Sequence, residues 1–249
     1  MSILKLTAEK RNGRTVITDT EFTSPLKIAN PFYRDGCTEV MMMAASAGIL
    51  EGDHYDIELT VRSGASLKFT AQSYTKIFKA ESVGASQQVK ITVESGGSLV
   101  YMPCPVIPFG GSIFDTRTEV HLQEDSSFVM TDILSCGRTA MKERFEFTSY
   151  RSRTAVYVGE KLCFLDNQRL VPSEAPLSGV GFFEKRSHVG MMYIYGTEPS
   201  IPKCEMIESA LTNAEKGVCI RAAADSADEI WRYFGDIIMV TSKNHRLKP

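Results

Sequence analysis

The segment that decides the fold reads DIELTVR at residues 56–62, and polar and apolar side chains alternate along it without a break. A period of two is typical of a β-strand that buries one face. The turn SGAS at 63–66 follows, and LKFTAQ at 67–72 then alternates again. The same strand–turn–strand unit returns at 88–102 and at 118–130. The chain is therefore built on a repeated β unit.

The repeat is about 30 residues long, since its turns begin at positions 63, 95 and 124. Each unit has one apolar face, which must be buried against a neighbouring unit. A weaker copy opens the chain around Asn12-Gly13, a strong hairpin signal because both residues tolerate positive φ. The sequence predicts a mainly β fold of stacked β-hairpin sheets, arranged as a sandwich or a solenoid.

The pattern changes after about residue 198. We predict a short helix over 203–214, where Ile207 and Leu211 are four residues apart, and a strand over 217–222. A second, amphipathic helix is expected over 226–241, after a sequence that resembles a capping box. Its apolar stripe is formed by Ile230, Phe234, Ile237 and Ile238.

Length and composition favour one domain over 1–249, because 249 residues with 43% hydrophobic content suffice for one large core. We expect a β core over 1–198 and a helix–strand–helix segment over 199–249 that packs on it. A net charge of −2 leaves no basic footprint for nucleic acid or for an anionic membrane surface.

Targeting signals are not evident. The N-terminus lacks the pattern of a signal peptide, and the most apolar run, at 40–50, is far shorter than the ~18 residues that cross a bilayer. The six cysteines contain no C-x-x-C pair, so we expect free thiols. A cytoplasmic location is expected.

No common catalytic motif is present: the chain has no G-x-S-x-G elbow, no Walker loop and no H-E-x-x-H. Three other stretches are locally unusual. A glycine-rich turn with two acids and His54 spans 48–54, a dense polar stretch spans 72–78, and a turn at 136–147 contains Arg138 and Glu143. Each stretch also has a purely structural interpretation. The first would be a turn whose Asp caps backbone N–H groups, the second a solvated edge strand, and the third a turn ordered by a local ion pair. Between the last two lies MPCPVIPF at 102–109, for which proline favours an extended, ordered loop.

These stretches, with the proline loop, resemble the urease accessory protein family UreD, called UreH in some bacteria. The family pattern is a glycine-rich turn ending in Gly-Asp, then Thr-Gln-x-x-Thr-Lys, then Leu-Pro-x-Pro-x-Ile-x-Phe, then Gly-Arg-x-Ala-x-x-Glu-x-Phe. Order and spacing agree over about 25–170. The corresponding positions here are Gly48, Gly52, Asp53, Gln72, Thr75, Lys76, Pro103, Pro105, Phe109, Gly137, Arg138 and Glu143.

The resemblance implies a non-catalytic protein with a largely β fold and C-terminal helices. It implies docking on apo-urease and on a helical partner, UreF, and through UreF an indirect link to UreG, a GTPase that carries nickel. The assembly would pass nickel to the buried site of urease. No tightly bound cofactor is implied, and nickel would be contacted only in transit.

Scattered ligands suit such transit better than a closed cage does, because a conduit must release the metal. Nickel(II) accepts N, O and S ligands. We therefore advance Asp53, Glu143, His54 and Cys104 as a hypothetical nickel path, against an ordinary turn or surface position for each.

Two other functions are kept open. A carbohydrate-active enzyme on a β fold would need two carboxylates facing one groove, and Asp132, Glu143, Glu146 and Asp166 are available. A single Trp argues against the aromatic-lined groove that such an enzyme uses. The third alternative is a protein-binding module with no metal role.

Overall fold

The computed structural model describes residues 1–34 and 37–245. Strands dominate it, and the described part contains one α-helix, α1 (Ala227–His245), and a single 3-10 turn at Thr139–Met141. In chain order the strands are β1 (Ser2–Arg11), β2 (Arg14–Phe22), β3 (Leu26–Ile28), β4 (Phe32–Arg34), β5 (Cys37–Ala44), β6 (His54–Val61), β7 (Ser66–Ala71), β8 (Thr75–Ile77), β9 (Ala85–Val93), β10 (Ser98–Met102), β11 (Val106–Pro108), β12 (Ile113–Leu122), β13 (Ser127–Ser135), β14 (Ser149–Val158), β15 (Lys161–Leu170), β16 (His188–Tyr195), β17 (Glu208–Asn213) and β18 (Val218–Ala224).

The strands form two sheets. Sheet A has the order β15-β14-β12-β9-β6-β1-β2, and sheet B has the order β17-β18-β16-β13-β10-β7-β5-β3. Three short strands attach to sheet B: β4 pairs with β5, β8 with β11, and β11 with β13. The prediction of a mainly β fold with stacked, solenoid-like sheets is confirmed.

The repeated unit links the two sheets, which corrects the prediction of hydrogen-bonded hairpins. β6, β9 and β12 are parallel neighbours in sheet A, and β7, β10 and β13 are parallel neighbours in sheet B. The turn at 63–66 thus carries the chain from one sheet to the facing one. A hairpin and such a corner share the same alternation and the same kind of turn, so the pattern alone does not separate them.

The corners stack on one another. Gly64 and Gly96 occupy equivalent positions with φ of 67° and 63°, a left-handed conformation that favours glycine. The Gly64 N–H donates to the Ser95 carbonyl at 3.0 Å, and the Ser98 N–H donates to the Ala65 carbonyl at 2.8 Å. Successive corners are therefore joined by the same parallel ladder as the strands.

The core lies between the sheets and consists of the apolar side chains that the alternation predicts. Ile57, Leu59 and Val61 of β6 are each 1% exposed or less, and so are Leu67 and Phe69 of β7. The remaining inward positions of the coil follow the same pattern, with Val89, Ile91, Val93, Leu99, Val120, Leu122 and Phe128 all buried.

True hairpins occur at the two ends of sheet A. β1 and β2 pair antiparallel around Asn12 and Gly13, both with positive φ, so the predicted N-terminal hairpin is confirmed. β14 and β15 form a second one around Gly159.

The C-terminal segment has one helix, and the prediction of two is wrong. The predicted helix at 203–214 contains β17 instead, which pairs antiparallel with β18. A spacing of four fits the period of a strand as well as that of a helix, and in the structure Ile207 is buried just before β17 whereas Leu211 is exposed on it. The predicted strand at 217–222 and the final helix are confirmed, although α1 continues to His245. Residues 246–249 of the predicted segment lie outside the described part.

The helix covers the outer face of sheet B. Ile230, Phe234 and Ile237 are fully buried, in one cluster with Ile133 and Met192 of the sheet. No helix within residues 1–34 and 37–245 has the length and apolar character needed to span a bilayer.

Candidate functional site

Four connections carry the chain from sheet B back to sheet A, on the side opposite the corners. They span 45–53, 72–84, 103–112 and 136–148, and each contains one of the four motif stretches. Segments that are distant in sequence are therefore stacked as neighbours, and the contacts below join each return connection to the next.

The first two return connections meet at Gly48. A Cβ atom there would lie 2.5 Å from the Lys76 carbonyl oxygen and 2.6 Å from a ring carbon of Phe78. The Ile49 N–H donates to the same Lys76 oxygen at 2.8 Å. Gly48 is required by this close approach. Beside it lies a small cavity of about 160 Å³, whose lining includes Gln72, Thr75 and Lys76.

The proline stretch joins the second connection to the third. It is extended, as predicted, but residues 106–108 form the short strand β11, parallel to β8, where a loop was predicted. The Thr75 N–H donates to the Pro105 carbonyl at 2.9 Å, and the rings of Phe78 and Phe109 lie 4.9 Å apart between centroids.

The Arg138–Glu143 ion pair of the fourth connection joins it to the third. The Nε atom of Arg138 donates to Glu143 Oε2 at 2.9 Å, and the Gly110 N–H donates to Oε1 at 2.8 Å. The guanidinium also lies 4.4 Å above the Phe109 ring. The hydrogen bond from Arg138 holds the pKa of Glu143 below its usual value, helped by Gly110 and opposed by burial. The predicted local ion pair is confirmed, with an almost fully buried carboxylate.

The four residues of the hypothetical nickel path have internal partners. Asp53 Oδ2 accepts from the Leu50 N–H at 2.8 Å, which is the predicted backbone cap, and His54 Nδ1 lies 2.7 Å from Ser86 Oγ. The Cys104 thiol donates to the Ala71 carbonyl at 3.1 Å, and burial raises its pKa to about 11. No three His, Cys, Asp or Glu side chains in the described ranges are grouped to hold a metal ion.

A larger cavity, of about 760 Å³, lies between the sheets where their edge strands β15 and β17 face each other. Its lining includes exposed residues such as Asn167 and Ser209 and buried residues such as Met191 and Ala222. One acidic side chain of the central strand β13, Asp132, also faces it.

Asp132 belongs to a polar group inside the sandwich. Ser152 Oγ donates to its Oδ2 atom over a long 3.3 Å, and the neighbouring Asp166 is paired with Arg221 at 2.6 Å. Burial raises the pKa of Asp132 to about 6, the charge of Asp166 adds to this, and Ser152 and Arg221 oppose it. The buried hydroxyl of Tyr150 has no hydrogen-bond partner among the described residues.

A family model matches almost the whole chain. The family model described as UreD urease accessory protein matches residues 2–249. The chain belongs to the UreD urease accessory protein family.

Curated relatives support the same assignment. A urease accessory protein UreD of Acetivibrio thermocellus is 36% identical over 242 residues, covering 92% of each chain. A UreH protein of Helicobacter hepaticus is 29% identical, covering 96% of this chain and 97% of the relative. A UreD protein of Lachnoclostridium phytofermentans is 31% identical, covering 93% and 89%. The resemblance stated from the four motifs is confirmed, and the family name describes an accessory role in urease maturation.

The UreD motifs lie in the return connections, and contacts join each connection to the next. Asp132 lies outside these motifs. A signal for it exists in the sequence. In FVMTDIL at 128–134, every second residue faces the core, and Asp132 takes one of those inward positions beside Met130 and Leu134. A charged residue at an inward position of a central strand is costly unless it has a function or a partner.

We expect Arg138→Ala to lower the free energy of unfolding by about 2 kcal/mol, because it leaves the Glu143 carboxylate buried without its cation. The matched control is Arg169→Ala. Arg169 also pairs with a carboxylate five residues later, but Glu174 is 54% exposed whereas Glu143 is 8% exposed. The control should cost much less, because an ion pair exposed to solvent contributes little to stability. Urea denaturation of wild type and the two variants measures the loss of stability in each variant. Equal losses in the two variants would contradict a structural role for the buried pair.

We expect Asp132→Asn to raise the free energy of unfolding at pH 7.5 by about 2 kcal/mol, because the folded state disfavours the carboxylate. The folded pKa of about 6 lies above the ordinary 3.8. The wild type therefore loses stability as the pH rises from about 4 to about 6, and the variant does not. Denaturation curves between pH 4 and 7.5 test this, and a variant less stable than wild type at neutral pH would contradict it.

Proposed function

We propose that this chain is a cytoplasmic urease maturation factor that binds apo-urease and UreF, and connects through UreF to the GTPase UreG. In this assembly it assists delivery of nickel to the urease active site. The observation that supports the proposal is the match of the UreD family model to residues 2–249, because an accessory protein acts on another protein. The role is that of a scaffold and not of an enzyme.

The inter-sheet cavity is the feature best suited to contact nickel in transit, where the metal is cargo. Asp132 supplies a carboxylate that forms no salt bridge with a residue that the structure describes, while Asp166 is already paired with Arg221. A single oxygen ligand with a pKa near 6 binds a divalent ion weakly and competes with protons for it. Weak binding is what release to urease requires.

Asp53, Glu143, His54 and Cys104 stay a prediction for the same route. Each is held by a partner within this chain, so metal contact there would require that partner to be displaced. Asp132 requires the loss of only one long hydrogen bond, from Ser152. We therefore place Asp132 first among the candidates.

The enzyme alternative is not favoured. Asp132 and Asp166 are neighbours, but the salt bridge from Arg221 occupies the second carboxylate. The aromatic residues that line the cavity are Phe182 and Phe183, which do not form the extended aromatic groove of a polysaccharide enzyme.

We expect tagged wild type and Asp132→Asn to recover the same amounts of apo-urease and UreF when co-expressed with both, since Asp132 lies between the sheets. The nickel content of urease, measured by elemental mass spectrometry, should fall several-fold with Asp132→Asn. Because this variant is expected to be more stable than wild type, such a loss would not reflect unfolding.

Asp125→Asn is the matched control: it removes the carboxylate of an exposed corner residue far from the cavity, and nickel loading should be unchanged. Full nickel loading by Asp132→Asn would remove Asp132 from the route. Failure of folded wild type to recover either urease or UreF would contradict the scaffold role itself.

A further inference from the structure

Four arginines cluster on the outer face of sheet A, the face that does not meet sheet B. They are Arg117 of β12, Arg151 and Arg153 of β14, and Arg169 of β15, and all four side chains are exposed. Arg117 is a direct cross-strand neighbour of Arg153, and Arg151 lies between Asp115 on one side and Arg169 on the other. The four therefore form two adjacent like-charged pairs, here called the arginine cluster.

The rest of this face shows that such pairing is not the general rule for the sheet. One cross-strand row contains Glu21, Lys5, Glu58, Lys90 and Glu119, so that every neighbour has the opposite charge. Like charges directly opposite each other destabilise a sheet. The arginine cluster carries this cost in a chain whose net charge is −2.

Two of the arginines are held in position and two are not. Arg117 pairs with Asp115 at 3.2 Å, and Arg169 donates to Glu174 at 2.7 Å. Neither Arg151 nor Arg153 forms an ion pair with a residue that the structure describes, although the charge of Arg151 helps to lower the pKa of Glu174. Four arginines against the two acids Asp115 and Glu174 leave the cluster with two positive charges in excess.

A depression of about 440 Å³ lies over the cluster, and its lining includes all four arginines, the exposed Asn167 and one acid, Asp115, which pairs with Arg117. We propose that this depression is a docking surface for an acidic, extended polypeptide segment of a partner protein. Arg151 and Arg153 would each bind a carboxylate through both arms of the guanidinium, and Asn167 would donate to the backbone of the segment.

The spacing favours an extended acidic peptide. Arg151 and Arg153 are two residues apart on one strand, so their Cα atoms are about 6.6 Å apart, which is also the distance between alternate side chains of an extended segment. The arginine fork matches a carboxylate in geometry as well as in charge. Nucleic acid is disfavoured because the described residues that line the depression include no aromatic side chain to stack on bases.

The test uses a fluorescein-labelled peptide of ten glutamates and the purified full chain, with binding followed by anisotropy at low ionic strength. We expect Arg151→Glu with Arg153→Glu to weaken binding by about tenfold or more, because two charge-assisted contacts are lost and reversed. The double exchange to lysine keeps the charge but loses the fork, and should weaken binding several-fold. Both arginines are exposed, and thermal unfolding by circular dichroism checks the fold.

The matched control reverses two other exposed strand cations, Arg14→Glu with Lys27→Glu, and should leave the affinity unchanged. The proposal would be overturned by no measurable binding by wild type, by equal affinity in the Arg151/Arg153 glutamate variant, or by tighter binding of a ten-nucleotide oligothymidylate than of the peptide. Equal affinity in the lysine variant would reduce the cluster to unspecific charge attraction and would also count against it.

Discussion

The in-register stacking of parallel strands is the constraint on which the rest of this structure depends. Each strand of the coil takes its hydrogen bonds from the equivalent strands before and after it, in both sheets and at the corners. A shift by one residue at any level would turn an apolar face outward. The alternation in each unit therefore fixes the register of the next, and the core between the sheets follows from it.

Stacking also decides what the return connections do. Because each starts and ends at equivalent levels of the coil, loops about 30 residues apart in sequence lie against each other. They are joined by aromatic contacts and by the Arg138–Glu143 pair, which also fixes Gly110 of the neighbouring loop. The motifs of the UreD family thus describe how the turns of the coil are fastened together. The cavity, in contrast, lies beside β15 and β17, the last strands of the two sheets in the described part of the chain.

Much of this could be predicted from the sequence. Strict alternation at 56–62 predicted the strand, its buried face and the repeated unit. Four motifs in the same order indicated the family. The pairing of the strands could not be read, because a hairpin and a corner between sheets share one local pattern. The strand β17 was missed because two apolar residues four positions apart fit the period of a strand as well as that of a helix. Asp132 appeared in the sequence only as one of four carboxylates for the enzyme alternative, because no motif marks it and its surroundings, Asp166 and Arg221, are brought near it by the fold.

The central claim is that this chain serves urease maturation, and the most direct test is the nickel content of urease from cells that lack this chain alone. Urease purified from such cells, and from cells in which the chain is restored, would be compared by elemental mass spectrometry and by subunit composition. The account predicts assembled but nickel-poor urease without the chain, and restored nickel with it. Urease fully loaded with nickel in its absence would contradict the account.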